Sequence, residues 1–236
     1  MDNLLVLKIL VFCMAGMLVL LLVGLLILWR QNQRHERQLF DMANRDFITG
    51  LPNRRYAFSF LFKRIGPAVP AEQRDTLVAF FIDLDNFEAV NDNLGHAAGD
   101  QLLKLIGQLL DTSMRETVGN SQRPFLTARL GGDEFLQLLA TATLTEATDY
   151  AQRLLQNFSE CPELTDHVRD FALGLSIGIS IFPEQASDPD ELVRHADIAM
   201  YHIKKLNKNG FKIYDPSWGE SVEGASLTAR QAAARR

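Results

Sequence analysis

The amino-acid sequence predicts an α/β (α+β) domain in which helices flank a mainly antiparallel central sheet, preceded by one apolar helix. Two features of the sequence carry this prediction. Short runs of apolar and β-branched residues alternate with segments in which apolar residues recur at helical spacing. In addition, residues 9–29 form an uncharged apolar stretch that stands apart from the mixed composition of the remaining chain.

The apolar stretch 9–29 has the length of a membrane-crossing helix. At about 1.5 Å per residue it would span roughly the 30 Å hydrocarbon core of a bilayer. A cleaved signal peptide fits poorly, because the stretch is too long and no small-x-small cleavage site follows. Lys8 precedes it, whereas Arg30, Arg34 and Arg37 follow. The positive-inside rule therefore predicts a single-pass protein with its remaining residues in the cytoplasm.

Composition divides the chain into four segments. After the predicted transmembrane helix of 1–29, residues 30–45 are polar and free of Gly and Pro, which predicts a cytoplasmic helical linker. Residues 46–215 have the composition of one globular domain and are long enough to bury a core. The Ala- and Arg-rich end of 216–236 has no apolar face and predicts a flexible tail.

Charge and cysteine content narrow the functional classes. The net charge of −5 argues against a nucleic-acid partner, which would favour a basic face. It is compatible with a nucleotide substrate, since a metal ion can offset the charge of the phosphates. Cys13 and Cys161 lie in different segments and are interpreted as small apolar residues in a reducing compartment.

The first elements of the globular segment are predicted from turns and apolar spacing. The turn-rich residues 49–55 precede an apolar helix, and the uninterrupted apolar run of 76–85 is typical of a strand buried on both faces. A short helix over 87–93 is broken by Gly95. Apolar residues at helical spacing then predict a longer helix over 99–115.

The second half of the domain is predicted to begin with a β-hairpin, because two short apolar runs flank Gly131-Gly132-Asp133. An amphipathic helix, a strand, a further helix and a closing strand follow. The last helix ends at Asn207, a residue that tolerates left-handed dihedrals. In chain order, the predicted ranges are 125–130, 134–139, 144–158, 171–183, 190–208 and 211–214.

Carboxylates at the end of the buried strand are the first candidates for chemistry. Asp83 and Asp85 point the same way because strand side chains alternate. They could hold Mg²⁺ or merely cap the following helix, and these two residues alone do not decide. If the hairpin lies beside this strand, Asp133 faces Asp83, and Gly131 and Gly132 leave bare backbone for a ligand. Together these residues predict a divalent-metal site for phosphoryl or nucleotidyl transfer.

Five motifs resemble those of the GGDEF family of diguanylate cyclases, in the family's order and across essentially all of 46–215. They are DFITGLPNRR (46–55), DLDNFEAVNDNLGHAAGD (83–100), RLGGDEF (129–135), LSIGIS (175–180) and ADIAMYHIKKLNKN (196–209). The resemblance implies the GGDEF fold, which is similar to the palm of nucleotidyl cyclases and polymerases. It also implies an enzyme that condenses two GTP into cyclic di-GMP and two pyrophosphates, which the predicted span of 9–29 would anchor to the bacterial inner membrane.

The resemblance implies a role for each matching residue. Asp83, Asp133 and the carbonyl of Leu84 would hold Mg²⁺ (or Mn²⁺), and Asp133 with Glu134 would be catalytic, activating the ribose 3′-hydroxyl. A carboxylate can accept hydrogen bonds from N1–H and N2–H of guanine, a pair that adenine does not offer. The implied GTP contacts are Asn91 and Asp100 at the guanine, His96 near the same pocket, Gly131 and Gly132 in the turn, and Lys204 and Lys208 at the triphosphate.

The implied chemistry requires two domains. Each would bind one GTP, so a homodimer brings the 3′-hydroxyl of one nucleotide to the α-phosphate of the other. The membrane helix and its linker are then the expected place to control the reaction.

Three departures from the family pattern stand out. Glu88 replaces the usual lysine, and a carboxylate there would repel the triphosphate unless it turns outward or another cation compensates. Gln122 and Phe125 occupy the frame of the family's RxxD product-inhibition motif, so no such site is predicted. Asn207 and Lys208 replace the usual Gly and Arg, and Lys keeps the charge but lacks the bidentate fork.

Two functions remain in competition. The intact acidic and amide positions favour an active cyclase. A catalytically weak or inactive GGDEF domain, acting as a GTP-binding or signalling interaction module, is the alternative that Glu88 suggests. The sequence contains no indication of the input signal or the downstream effector.

Overall fold

The protein was analysed as a computed structural model that describes residues 3–164 and 169–218. The chain divides into two compact units, one up to Ala43 and the other from Asn44 onward. The first consists of a single continuous helix, α1 (Asn3–Asn44), in agreement with the helical predictions for 9–29 and 30–45. Among the described residues, no helix is long and apolar enough to cross a bilayer. The predicted transmembrane span of 9–29 is therefore not supported.

The second unit is built on a five-stranded sheet in the order β2-β3-β1-β4-β5. Its strands are β1 (Leu77–Asp85), β2 (Phe125–Gly131), β3 (Glu134–Ala140), β4 (Gly174–Phe182) and β5 (Gly210–Ile213). All neighbouring pairs are antiparallel except β4 and β5, which are parallel. The predicted mainly antiparallel sheet is therefore confirmed.

Five helices and two short 3-10 helices accompany the sheet within residues 45–164 and 172–218. The helices are α2 (Arg54–Ile65), α3 (Phe87–Leu94), α4 (His96–Val118), α5 (Leu144–Glu160) and α6 (Pro189–Leu206). The 3-10 helices are Ala71–Gln73 and Pro216–Trp218. The bounds of α3 to α6 were predicted within a few residues, and α2 follows the turn-rich residues 49–55 as predicted. The 3-10 helices were not predicted. The predicted tail beyond Trp218 lies outside the described residues.

Side-chain caps explain where several helices begin. The Asn53 side chain accepts a hydrogen bond from the backbone N–H of Tyr56 at the start of α2. Thr143 and Glu146 form a reciprocal capping box at the start of α5. Each cap satisfies backbone N–H groups that have no partner within the helix, which fixes the helix start.

The central strand β1 divides the core into two layers. All nine of its residues are buried, as its uninterrupted apolar sequence predicts. Val78, Phe80 and Ile82 pack against the layer that contains α3, α4 and α5. Ala79 and Phe81 pack against the layer that contains α2 and α6. β1 is thus held rigidly, and its carboxyl end is fixed in the middle of the sheet.

The end of α6 differs from the prediction. Asn207 caps the helix with a φ of −136°, outside the left-handed region. The left-handed residues are the next two, Lys208 and Asn209, with φ values of 52° and 42°. Residues 207–209 thus form a sharp corner after α6. Left-handed φ values are uncommon for lysine, so the sequence did not predict this conformation.

Candidate active site

The candidate site lies where β1 ends beside the start of β3. Asp83 on β1 pairs in register with Glu134 on β3, and the backbone N–H of Leu84 donates to the carbonyl of Asp133 at 3.3 Å. The hairpin therefore lies beside the strand of 76–85, as the metal-site prediction required. Asp83, Asp133 and Glu134 meet at one end of the sheet.

Asp83 is a buried carboxylate, 6% exposed, and Lys204 of α6 makes an ion pair with its Oδ1. Burial, followed by repulsion from the neighbouring Asp133, raises the pKa of Asp83 to about 7, although Lys204 opposes the shift. Burial likewise raises the pKa of Asp133, while Lys204 and Arg129 lower it. Two close carboxylates with elevated pKa values form a site that a cation would stabilise.

The residues present fit a divalent metal ion. Oδ1 of Asp83 is buried and lies against the ammonium of Lys204, which supplies at this position the positive charge that a metal ion would supply when bound. The expected ligands Asp83, Asp133 and the carbonyl of Leu84 are all oxygen donors, the type preferred by Mg²⁺ and Mn²⁺. No cluster of three or more His, Cys, Asp or Glu side chains in the described residues has metal-binding geometry. A site of two carboxylates and one carbonyl is consistent with that finding.

The turn between β2 and β3 leaves its backbone open. Gly131 and Gly132 have φ values of 147° and 54°, and a Cβ at either position would meet no atom within 4 Å. The positive φ values favour glycine. The free space beside the turn allows a ligand to approach the backbone directly, as predicted for these two residues.

Arg129 is a site residue that the sequence reasoning missed. It lies on β2 and is 7% exposed. Its Nε and Nη2 donate to the carbonyl of Gly132 at 2.9 and 2.7 Å, and its Nη1 donates to the carboxylate of Asp46. The arginine thereby fixes the glycine turn. An arginine two residues before two glycines in a predicted hairpin was the available signal.

Asp85 makes a different set of contacts from Asp83. It is 1% exposed and accepts hydrogen bonds from the hydroxyl of Ser176 at 2.8 and 3.0 Å and from the backbone N–H of Asn209 at 2.7 Å. These partners do not belong to the start of α3, so the contacts do not cap that helix. The interpretation that Asp85 shares an ion with Asp83 stays a prediction. The hydrogen bonds of Asp85 join the end of β1 to β4 and to the corner after α6.

The predicted guanine residues lie on α3 and α4. Asn91 is half-buried, and a Cβ on Gly99 would overlap its Oδ1, so the amide packs directly on the backbone of α4. Asp100 follows Gly99 and is half-buried, whereas His96 is exposed at the first position of α4. Asn91 on α3 therefore packs against the part of α4 that carries Asp100.

The cationic residues approach from α6 and the corner that follows it. Lys204 reaches Asp83, and Lys208 donates from Nζ to Oδ1 of Asn86 at 2.8 Å. Asn86 immediately precedes α3, whose first turn contains the exposed Glu88. Lys208 thus lies close to the position where Glu88 replaces a lysine.

Arg123 lies between Gln122 and Phe125, the positions that the RxxD product-inhibition motif would occupy. Arg123 pairs with Glu146 of the α5 capping box at 3.0 Å. Its guanidinium is therefore engaged by a neighbouring helix. The absence of RxxD-type product binding at Gln122 and Phe125 stays a prediction.

Comparison with known proteins decides the family. Residues 43–210 match the family model described as "Diguanylate cyclase, GGDEF domain". The chain belongs to the GGDEF domain family.

Curated relatives of this GGDEF protein are longer than the chain. The signaling protein YkoW of Bacillus subtilis is 37% identical over 191 residues, which covers 80% of the chain and 22% of YkoW. Diguanylate cyclase TpbB of Pseudomonas aeruginosa is 36% identical over 179 residues, which covers 75% of the chain and 39% of TpbB. The chain therefore spans well under half the length of these two relatives.

Solved structures support the GGDEF fold. The GGDEF domain of TpbB from Pseudomonas aeruginosa aligns with a TM-score of 0.59 at 34% identity, covering 72% of this chain and 94% of that one. The coiled coil and GGDEF domain of DgcB from Caulobacter crescentus, solved with c-di-GMP, aligns with a TM-score of 0.66 at 21% identity. That alignment covers 81% of this chain and 96% of DgcB, and at this identity it bears on the fold alone.

Proposed function

We propose that this GGDEF protein is a diguanylate cyclase that condenses two GTP molecules into cyclic di-GMP and releases two pyrophosphates. The single observation that carries the proposal is the meeting of Asp83, Asp133 and Lys204 beside the open glycine turn. Membership of the GGDEF family and the similarity to the diguanylate cyclase TpbB support it.

The acidic residues and Lys204 would have different roles in the reaction. Asp83, Asp133 and the carbonyl of Leu84 would hold Mg²⁺ or Mn²⁺, which when bound supplies positive charge to the α-phosphate and the ribose 3′-oxygen. Asp133 has a raised pKa, which suits a carboxylate that accepts the 3′-hydroxyl proton, and Glu134 lies beside it. Lys204 neutralises phosphate charge as it now neutralises Asp83.

The reaction consists of the same step performed twice. The 3′-oxygen of one nucleotide forms a bond to the α-phosphorus of the other, and its proton passes to a carboxylate. The bond between that phosphorus and the β-phosphate oxygen breaks, and pyrophosphate leaves. Repetition with the roles exchanged closes the ring. Each domain supplies one GTP, so we propose that catalysis takes place in a homodimer.

Guanine selection is proposed for the α3–α4 pair. Asn91 and Asp100 offer an amide and a carboxylate, which together match the N1–H and N2–H donors and the O6 acceptor of guanine. His96, exposed at the start of α4, would line the same pocket. The inner-membrane location stays a prediction from the sequence.

The alternative is a domain that binds GTP with little or no turnover. Glu88 is the observation that favours it, because its carboxylate lies in the first turn of α3, where a lysine would stabilise developing phosphate charge. Such a domain would act through binding, as a signalling module.

Incubation of the full chain with GTP and Mg²⁺ or Mn²⁺ tests the proposal. We expect pyrophosphate and cyclic di-GMP by chromatography, and loss of both products in Asp133→Asn. Gln108→Ala on the outer surface of α4 is the matched control and should retain turnover. GTP binding without product, in wild type and control alike, would favour the binding module.

A further inference from the structure

The corner after α6 carries Lys208 in an uncommon backbone conformation. Lys208 and Asn209 both have left-handed φ values, 52° and 42°. Residues with a Cβ adopt this region at a cost that surrounding contacts must offset. The contacts that hold the corner therefore determine where the ammonium group of Lys208 lies.

Asp85 holds the backbone of this corner. Its buried carboxylate accepts the N–H of Asn209 at 2.7 Å, and the hydroxyl of Ser176 on β4 donates to the same carboxylate at 2.8 and 3.0 Å. Hydrogen bonds to a carboxylate are stronger than those between neutral groups. The corner is thereby fastened to the end of β1, the strand that carries Asp83 two residues earlier.

Asn86 holds the side chain of Lys208. Its Oδ1 accepts from Lys208 Nζ at 2.8 Å, and its Nδ2 donates to the carbonyl of Ala172 at 2.9 Å. Both ends of the amide are therefore engaged, which fixes its orientation. Two consecutive residues, Asp85 and Asn86, thus constrain Lys208 through separate contacts.

We infer that Asp85 and Asn86 are positioning residues for triphosphate binding that act through Lys208. Asp85 fixes the backbone from which the lysine extends, and Asn86 steers its ammonium towards the start of α3. A cation is thereby held near Glu88, where the chain lacks the usual lysine. This inference rests on the proposed GTP-binding function of the site.

Calorimetric titration of the full chain with two ligands separates triphosphate binding from guanine binding. The ligands are the α,β-methylene analogue of GTP, with Mg²⁺, and guanosine. Because replacing the buried Asp85 risks the fold, its partner Ser176 is changed instead. We expect Ser176→Ala and Asn86→Ala each to weaken binding of the analogue about 5- to 10-fold, less than the loss of a direct hydrogen bond to a charged group, because both residues act on the ligand only through Lys208. Affinity for guanosine should stay unchanged.

Ser180→Ala is the matched control. Ser180 lies on the same strand, is fully buried, and donates to the carbonyl of Leu192 on α6. The Ser180→Ala variant should have a lower melting temperature than wild type but should bind the analogue equally well. Ser176→Thr keeps the hydroxyl and should therefore bind the analogue as tightly as wild type, unlike Ser176→Ala.

A double variant tests whether the effect passes through Lys208. We expect Asn86→Ala combined with Lys208→Ala to bind the analogue no more weakly than Lys208→Ala alone. Additive losses, or equal losses for the analogue and guanosine, would overturn the inference while leaving GTP binding intact. A wild-type chain that binds neither ligand would overturn the proposed function, and this inference with it.

Discussion

The guanidinium of Arg129 binds the carboxylate of Asp46, with Nη1 lying 2.9 Å from Oδ1 and 3.1 Å from Oδ2. The Arg129 side chain is 7% exposed and that of Asp46 14%. Arg129 also donates to the carbonyl of Gly132. This one side chain therefore ties the turn at 46–50 to the glycine turn of the proposed active site.

Removing the acid from this pair should destabilise the domain. Asp46→Ala leaves a buried guanidinium without its counter-charge, and we expect the free energy of unfolding to fall by about 3 kcal/mol. Urea denaturation at pH 7 measures this loss. The control is Asp111→Ala, which breaks the more exposed i,i+4 pair with Arg115 and should cost less than about 1 kcal/mol. Equal losses in the two variants would contradict the prediction.

The Asp46 contribution should also depend on pH. Burial opposes ionisation of this carboxyl, but hydrogen bonds from Thr49 and Arg129 outweigh it and hold the pKa of Asp46 below its ordinary value of 3.8. A depressed folded-state pKa gives stability that is present above the unfolded pKa and is lost as pH falls through the folded one. The stability difference between wild type and Asp46→Ala should therefore be constant from pH 5 to 7 and shrink below about pH 4. A constant difference down to pH 2.5 would refute this.

Sequence reasoning predicted most of the fold because each element has a strong local cause. The buried strand of 76–85 is uninterrupted and apolar, and in the structure all of β1 is buried. The hairpin could be placed from its two glycines. Asp83 and Asp133 could be identified from the motifs, and the structure brings them together at one end of the sheet.

Long-range polar contacts could not be predicted in the same way. The partners of Asp85 are Ser176, which is 91 positions away, and Asn209, which is 124 positions away. No periodicity or spacing in the sequence relates Asp85 to either of these two residues. The same applies to Arg129 and Asp46, whose pairing depends on how the entry turn packs beside β2. Tertiary packing decides such contacts, so the structure was needed to identify the partners of Asp85.

Asp83 should make the metal-free domain less stable at high pH. Burial, followed by repulsion from Asp133, raises its pKa to about 7 despite the ion pair with Lys204. A carboxyl group whose pKa is higher in the folded than in the unfolded protein contributes to the stability of the fold. That stability is fully present below the unfolded-state pKa, near 4, and is lost as pH rises through the folded-state pKa of about 7. Asp83→Asn should therefore exceed wild type in unfolding free energy by up to about 4 kcal/mol at pH 8 and match it near pH 4.

Urea denaturation in the presence of a chelator measures this difference. As a control, Mg²⁺ should raise the melting temperature of wild type at pH 8 more than that of Asp83→Asn, because only wild type keeps both proposed carboxylate ligands. A variant less stable than wild type at pH 8 would show that pairing with Lys204 outweighs burial.

Gly99 should control guanine affinity through Asn91. A Cβ at position 99 would overlap Oδ1 of Asn91 and lie 3.2 Å from Cζ of Phe87, so Gly99→Ala displaces the amide. We expect guanosine affinity to fall about 10-fold, the loss of roughly one good hydrogen bond. Gly107→Ala on the same helix is the control, since its Cβ would meet the flexible end of Leu51 at 3.1 Å. Unchanged guanosine affinity in Gly99→Ala would place the guanine elsewhere.

Restoring a lysine at position 88 should accelerate the proposed reaction. Glu88 is exposed in the first turn of α3, and Lys208 is held at Asn86, two residues before it. Glu88→Lys replaces a repulsive carboxylate by a second cation where the triphosphate is expected. We expect kcat to rise at least about 10-fold, since one stabilising contact in such a site is worth 10²-fold or more when fully formed.

Glu116→Lys is the charge-matched control for this variant, because it makes the same change at an exposed position near the end of α4. It should leave kcat unchanged at constant ionic strength, where long-range charge effects are screened. If both variants raise the rate equally, the gain comes from net charge alone. If neither does, Lys208 already supplies the cation that the site needs, and Glu88 turns away from the nucleotide.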